Sequence, residues 1–264
     1  MYYLIHGDDF GRTEGRTEAI DQLLCAGLIQ RTTLLVNMPY AEKAAELAEK
    51  HNYRERVAFH MNLSEGTPLT TAIRKTALCK ADGTLRWAKE KRLLLCLTPS
   101  ALRAIRGEVE AQMQRFRELG FSSGHIDSHD WILYNYPVWL AVKPLLGRYG
   151  FETTRVGCEN WIRGSKPVLK AYRRFMASRI GKKLRTVEDW AGGLDSVGRF
   201  AEAGELRADM RLEIMTHPDL VDGVPCDSLH HKHVPMVELT RKLAQYAAQL
   251  EAAGGLDGRA KQEL

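Results

Sequence analysis

The chain has 264 residues, of which 44% are hydrophobic and 27% charged, and 38 Lys and Arg against 33 Asp and Glu give a formal net charge of +5. A chain of this length fits one large domain, so residues 1–264 are expected to fold as a unit. Its aromatic residues are not interleaved with basic clusters, as a surface for single-stranded nucleic acid requires, and nucleic acid is therefore not expected as a partner.

The five cysteines are scattered, odd in number and never spaced as CxxC. This pattern argues against a disulfide framework or a structural zinc site and favours a reducing compartment. No apolar run approaches the roughly 18 residues of a membrane span. The start of the chain also lacks a basic region followed by an apolar signal segment. A cytoplasmic protein without a transmembrane segment is expected.

The first predicted strand is the apolar run 2–5, which stops at the adjacent carboxylates Asp8 and Asp9. Thr13 is the expected N-cap of the following helix, and Gly27 its stop.

A second strand, 32–37, ends on Asn37, and after a helix at 41–50 a third strand, 57–59, delivers His60. Strands that alternate with helices in this way predict a parallel sheet.

From about 64 to 100 the pattern loosens into turn signals, with a short helix expected at 87–97. A long irregular insertion at a strand end often shapes a substrate cleft. Apolar residues then recur every three or four positions over 102–116, which predicts a helix that begins near Pro99 and ends at Gly120.

Beyond it, a fourth strand is expected at 123–127, a helix from Pro137 and a fifth strand at 151–156. The segment 163–185 carries nine Lys or Arg and no acidic residue, with an apolar helical face. It is interpreted as a helix with a solvated basic face, or alternatively as a dock for an anionic partner or a membrane surface.

A late strand, 212–216, ends in His217. The histidine-rich run 230–233 resembles a metal-binding tract, but it lacks a partnering acid or cysteine, which favours a surface loop. A final helix is expected at 236–250, followed by a polar tail over 254–264.

Four predicted strands thus end on side chains that bind metals or carry protons. The carboxyl ends of parallel strands gather on one face, where active sites lie. Two imidazoles and one carboxylate with an open position suit a hydrolytic divalent ion, so Asp9, His60 and His129 are predicted as metal ligands. Asp8 is the candidate general base and His217 the candidate general acid.

Other residues are expected to face the substrate or to support the ligands. Alternation along 124–129 places His125 and Asp127 on the same side as His129, and Asp127 is expected to orient a ligand histidine. Trp131 either stacks on a sugar ring or caps the core, and Asn37 is counted with this group. No GxSxG motif is present, which favours direct attack by metal-activated water over an acyl-enzyme.

The chain resembles the YdjC-like carbohydrate deacetylases, including chito-oligosaccharide deacetylase. The resemblance is carried by HGDDFG (6–11), FHMNLSEGTPL (59–69), GHIDSH (124–129) and EIMTHPDL (213–220). It implies an α/β fold of the irregular (β/α), TIM-barrel-like kind, with the site at the carboxyl ends of parallel strands. It also implies one divalent ion, Mg²⁺ or Zn²⁺, and removal of acetyl from an N-acetylglucosamine-type sugar or oligosaccharide. Homodimers are common in such proteins.

Two positions depart from the family pattern. The family usually has asparagine or a similar residue in place of His6, and it commonly continues with further histidines where this chain has Asp130 and Trp131. Residues near the substrate have therefore changed. Two alternatives to a sugar deacetylase remain, namely a metal-dependent amidase or esterase acting on a non-sugar substrate, and a non-catalytic glycan-binding descendant.

Overall fold

A computed structural model describes residues 2–86, 98–155, 167–205, 207, 209–229 and 234–254. Its centre is a six-stranded sheet with the order β4-β3-β2-β1-β6-β5, in which every neighbouring pair is parallel. The strands are β1 Tyr2–Phe10, β2 Arg31–Leu34, β3 Val57–Met61, β4 Ile126–Ser128, β5 Trp190–Gly192 and β6 Arg211–Thr216.

Helices connect the parallel strands. They are α1 Glu14–Cys25, α2 Ala41–Lys50, α3 Thr71–Arg74, α4 Pro99–Glu118, α5 Tyr136–Leu146, α6 Pro167–Gly181, α7 Leu194–Glu202 and α8 Met236–Gly254, with 3-10 turns at Arg54–Arg56 and His129–Tyr134. A separate antiparallel sheet of β7 Pro218–Val221, β8 Val224–Asp227 and β9 Val234–Pro235 follows β6.

Local sequence signals account for the longer helices. The hydroxyl of Thr13 accepts a hydrogen bond from the backbone N–H of Arg16, so it caps α1 as predicted. The α4 helix begins with Pro99 after its cap Thr98, and Ile105, Val109, Met113 and Phe116 of its apolar row are fully buried.

The central strands are buried along almost their whole length. From Leu4 onward every residue of β1 is buried, and so is every residue of β3. Strands of a parallel sheet are covered on both faces, which explains these near-continuous buried runs. Polar side chains within them are therefore held away from water and need partners inside the protein.

The predicted α/β class with parallel strands is confirmed, but the strands of the described residues form a sheet of six and not a closed barrel. Two isolated parallel bridges, His125 to Thr153 and Thr153 to Arg185, continue the hydrogen bonding beyond β4. The strand predicted at 151–156 is present only as this bridge at Thr153, and residue 156 is outside the described residues.

Several sequence expectations fall on residues that the structure does not describe. These are the short helix at 87–97, the start of the basic segment at 163–166, the histidine-rich run at 230–233 and the tail beyond Gly254. Neither β5 nor α7 was predicted, and neither was the hairpin of β7 and β8. Within the described ranges, no helix is long and apolar enough to cross a bilayer.

Candidate active site

The end of β1 presents its two carboxylates in different directions. Asp8 and Asp9 are 2% and 0% exposed, and Asp9 has a left-handed backbone with a φ of 73°. Aspartate tolerates this conformation better than most residues. Gly11 follows with a φ of 84°, and a Cβ there would lie 3.1 Å from the Cα of Ala41. The tight turn therefore requires glycine, and it lets α2 pack close to the strand end.

Asp9 lies beside two histidines that come from other strand ends. Its Oδ1 is 2.8 Å from Nδ1 of His129 and 3.4 Å from Nε2 of His60. The three side chains place one ligand atom each within 4.8 Å of one another. His60 is in β3 and His129 directly follows β4, so residues distant in sequence meet because these strands are parallel neighbours of one sheet.

Each histidine is oriented by a second carboxylate. The Nδ1–H of His60 donates to Asp127, which leaves Nε2 facing Asp9. His129 has Nε2 3.0 Å from Glu65. This is the arrangement in which metal-binding histidines are usually held.

The electrostatics of these histidines fit a bound cation. Burial would lower the pKa of both imidazoles, but Asp127 and Asp9 raise the pKa of His60 to about 10, and Asp9 and Glu65 raise that of His129 to about 9. The carboxylates thus attract positive charge strongly enough to hold protons on both rings. A divalent ion can take the place of those protons, because imidazole and carboxylate are ordinary ligands of Zn²⁺ and related ions.

The other oxygen of Asp9 is held by two arginines that sequence reasoning missed. Arg12 and Arg16 donate to its Oδ2 at 3.2 and 3.1 Å. Arg16 stands one turn inside α1, where the Thr13 cap fixes the start of the helix. The two guanidinium groups set the orientation of the carboxylate, so Oδ1 is left toward the histidines.

Asp8 belongs to a different network, centred on Arg155. The guanidinium donates to both oxygens of Asp8, at 2.7 and 2.9 Å, and to Glu213 at 2.6 Å, and it lies 3.0 Å from Asp127. Burial alone would raise the pKa of Asp8, but Arg155 holds it well below its ordinary value. Asp8 is therefore ionised and fixed in place.

Arg155 and Glu213 were also missed from the sequence. Arg155 lies in the strand-like stretch 151–156, and Glu213 interrupts the apolar run 212–216. A charged residue inside such a run is the one available signal, since a buried charge needs a partner of opposite sign.

His217 lies between β6 and β7, near Asp8. Its Nε2 is 3.9 Å from Oδ2 of Asp8, and its backbone N–H donates to Asp227 at 3.1 Å. Burial lowers the pKa of His217 to about 4, against the opposing effect of Asp9 and Asp8. The imidazole is therefore neutral at pH 7 and able to accept a proton.

These groups face one cavity of about 590 Å³. Its lining includes both aspartates, His60, His129, Arg155 and His217 together with Trp131, whose ring is 5.8 Å from that of Tyr134. The cavity thus collects the predicted ligands and both predicted proton carriers.

His125 and Asn37, which were expected to face the substrate or to support the ligands, are not among the described residues that line the cavity. His125 contacts Thr153 at 3.1 Å and lines a second cavity of about 230 Å³. The Nδ2 of Asn37 donates to the backbone carbonyls of Glu65 and Thr67 at 3.2 and 3.3 Å, so it fixes the loop that carries Glu65.

Comparison with known proteins agrees with the geometry. A family model described as "YdjC-like protein" matches residues 3–253. A mouse (Mus musculus) protein named carbohydrate deacetylase is 30% identical, over 97% of this chain and 95% of its own length. A protein of the same name from Halalkalibacterium halodurans is 31% identical, over 61% of this chain and 69% of its own.

One solved structure shares the fold. It is an Enterococcus faecalis protein described as a proposed cellobiose-phosphate cleavage protein, with a TM-score of 0.64 over 96% of this chain and 93% of that one. At 19% identity the likeness concerns the fold alone.

Proposed function

Because the chain belongs to the YdjC-like protein family, we propose that it is a carbohydrate deacetylase that hydrolyses the N-acetyl amide of an N-acetylglucosamine-type sugar or oligosaccharide with one divalent ion, Mg²⁺ or Zn²⁺. The observation that carries this is the meeting of Asp9, His60 and His129 in a cavity that also contains Asp8 and His217. A cavity that brings metal ligands together with two proton carriers suits amide hydrolysis.

Asp9, His60 and His129 would hold the ion through one carboxylate oxygen and two imidazole nitrogens. When bound, the ion lowers the pKa of water and polarises the carbonyl oxygen of the acetyl group. Asp127 contacts His60 and Glu65 contacts His129, and these carboxylates keep the ligand nitrogens aimed at a common point.

Asp8 takes the proton from the attacking water. Arg155 keeps this carboxylate ionised and oriented, but it also makes it a weak base, since it favours the charged form. The proton is therefore passed on to a better acceptor. His217 is neutral and its Nε2 lies 3.9 Å from Oδ2 of Asp8, which is close enough for transfer after a small approach.

His217 then protonates the departing nitrogen. The water oxygen forms a bond to the acetyl carbon, the carbon–nitrogen bond breaks, and acetate and the free amine are released. Each positioned proton carrier contributes about 10²–10⁴-fold to the rate of such a reaction. The partly buried ring of Trp131 in the cavity wall offers a flat surface on which a sugar ring can pack.

The test is acetate release from N-acetylglucosamine oligomers by the purified protein, after chelation and after return of Mg²⁺ or Zn²⁺. We expect activity only with metal, and loss of both metal and activity in His60→Ala and His129→Ala. His51→Ala is the control, because this partly buried histidine pairs with Asp21 and is not among the described residues that line the cavity. No turnover across a broad glycan panel by the metal-loaded protein would refute the assignment. Faster hydrolysis of simple acetamides would instead indicate a general amidase.

A further inference from the structure

The exposed side of α6 is strongly basic. Residues 167–187 contain seven Lys or Arg and no Asp or Glu. Arg174, Arg179, Lys182 and Lys183 are all exposed. None of these four has an ion-pair partner among the described residues, so their charge is not neutralised within that part of the chain.

The same side of α6 also exposes apolar side chains. Val168 is 83% exposed and Phe175 is 41% exposed. They are seven residues apart, and Lys182 continues the row just past the end of the helix, so the three lie on one face. The opposite face is buried through Met176 and Ile180. The exposed apolar residues are therefore additional to those that pack the helix onto the protein.

The neighbouring helix α5 extends this surface. The ring of Tyr136 is 5.6 Å from that of Phe175. One and two turns along α5 on the same side come Leu140, which is 42% exposed, and the exposed Lys143. No acidic residue occurs in α5. The result is an apolar centre with a cationic rim.

We propose that this surface, formed by Val168, Phe175, Arg179 and Lys182 of the α6 segment with Leu140 and Lys143 of α5, docks on an anionic lipid bilayer. A basic helix that also exposes aliphatic and aromatic side chains lies in the interface of such a membrane, with its apolar side in the acyl boundary. A surface that had only Lys and Arg side chains could bind any polyanion. Exposed valine and leucine favour lipid, because they offer nothing to a phosphate backbone or to a stacked base.

The docking surface is joined to the wall of the candidate active site. The hydroxyl of Tyr172, on α6, donates to the backbone carbonyl of Tyr134 at 3.1 Å and accepts from the backbone N–H of Tyr136 at 3.0 Å. Tyr134 packs against Trp131, which lines the cavity. Docking goes beyond the proposed deacetylation and does not depend on it.

Vesicle flotation of the full chain tests this directly. We expect binding to vesicles of equal parts phosphatidylcholine and phosphatidylglycerol, weakened by salt, and none to phosphatidylcholine alone. Each cation near an anionic surface strengthens binding by about fivefold, so the double variant Arg179→Glu, Lys182→Glu should lose more than about 25-fold. Phe175→Ser should weaken binding with no change of charge.

The matched control carries the same charge change on another helix, as Lys43→Glu, Lys50→Glu on α2, where both lysines are exposed. It should bind almost as the unaltered protein does. Absence of binding to anionic vesicles at low salt would overturn the proposal, and so would an equal loss in the control. Binding to DNA that requires Arg179 and Lys182, but not Phe175, would assign the surface to nucleic acid and equally overturn it.

Discussion

Replacing Arg155 by methionine should destabilise the protein more than almost any other single change. The guanidinium contacts Asp8, Asp127 and Glu213, whose side chains are 3%, 5% and 1% exposed. Removing one partner of a buried ion pair costs about 3–5 kcal/mol, because the remaining charge is left uncompensated. His60 still faces Asp127, and His6 lies 3.0 Å from Glu213, so both of these carboxylates keep one hydrogen-bonding partner. We therefore expect a loss of about 4 kcal/mol from the free energy of unfolding at pH 8.

The loss should shrink as the pH falls. In the unaltered protein the pKa values of Asp8 and Asp127 lie below their ordinary values, so their stabilising effect is present above about pH 4 and is lost below it. Without Arg155, burial is less opposed and should raise the pKa of these carboxyls. They then take up protons as the pH falls toward 5, which removes the unpaired charge.

Urea unfolding at pH 8 and pH 5 measures both effects. Arg56→Met is the control, since Arg56 donates to the backbone carbonyls of Gln30 and Leu24 at 2.8 and 3.0 Å and not to a carboxylate. Arg56→Met should lower the free energy of unfolding by the same amount at the two pH values. If Arg155→Met lowers the free energy of unfolding by less than about 1 kcal/mol, the reasoning is refuted, because ion pairs on the surface already contribute that much. It is also refuted if the loss is the same at both pH values.

Three further outcomes concern the metal and the protons. Asp127→Asn should weaken metal binding about 10–100-fold, measured by calorimetry, because the change disturbs the orientation of His60. Glu213→Gln is the control and should bind metal normally. Equal losses of metal affinity in the two variants would contradict the role given to Asp127. His217→Ala should keep its metal affinity and slow acetate release about 10²–10⁴-fold, and loss of the ion would show that the roles are wrongly divided. The pKa values of His60 and His129 are raised to about 10 and 9, so a metal ion must displace protons from both rings. Metal affinity should therefore increase from pH 7 to 9, and calorimetry in two buffers should detect the released protons. A metal affinity that does not depend on pH would speak against these histidines as ligands.

Much of the fold could be predicted because its signals are local. The apolar period of α4, the Thr13 cap and the order of strands and helices each depend on residues close in sequence. The same order predicts a parallel sheet, and hence that Asp9, His60 and His129 would meet at one edge. The strand β5 was missed, because three residues carry little periodicity, and the helix α7 was missed as well.

The charged partners of the site could not be predicted, because they depend on contacts between distant parts of the chain. Arg155 reaches Asp8 across 147 positions, and Arg16 reaches Ser228 across 212. Alternation also left open how far His125 lies from the cavity. It gives the face of a strand but not the depth, and at about 3.3 Å per residue four positions separate His125 from His129 by roughly 13 Å.

Directly after His129, two consecutive non-glycine residues have a positive φ, which occurs nowhere else among the described residues. Asp130 and Trp131 both have a φ of 58°, a left-handed conformation that costs about 1–2 kcal/mol per residue. Two neighbouring contacts offset this cost: Leu133 donates its N–H to the hydroxyl of Ser128 at 3.0 Å, and Trp131 packs against Tyr134. The turn stops β4 immediately before His129, so the imidazole reaches Asp9 and the indole becomes part of the cavity wall. Strain held at such a position indicates function.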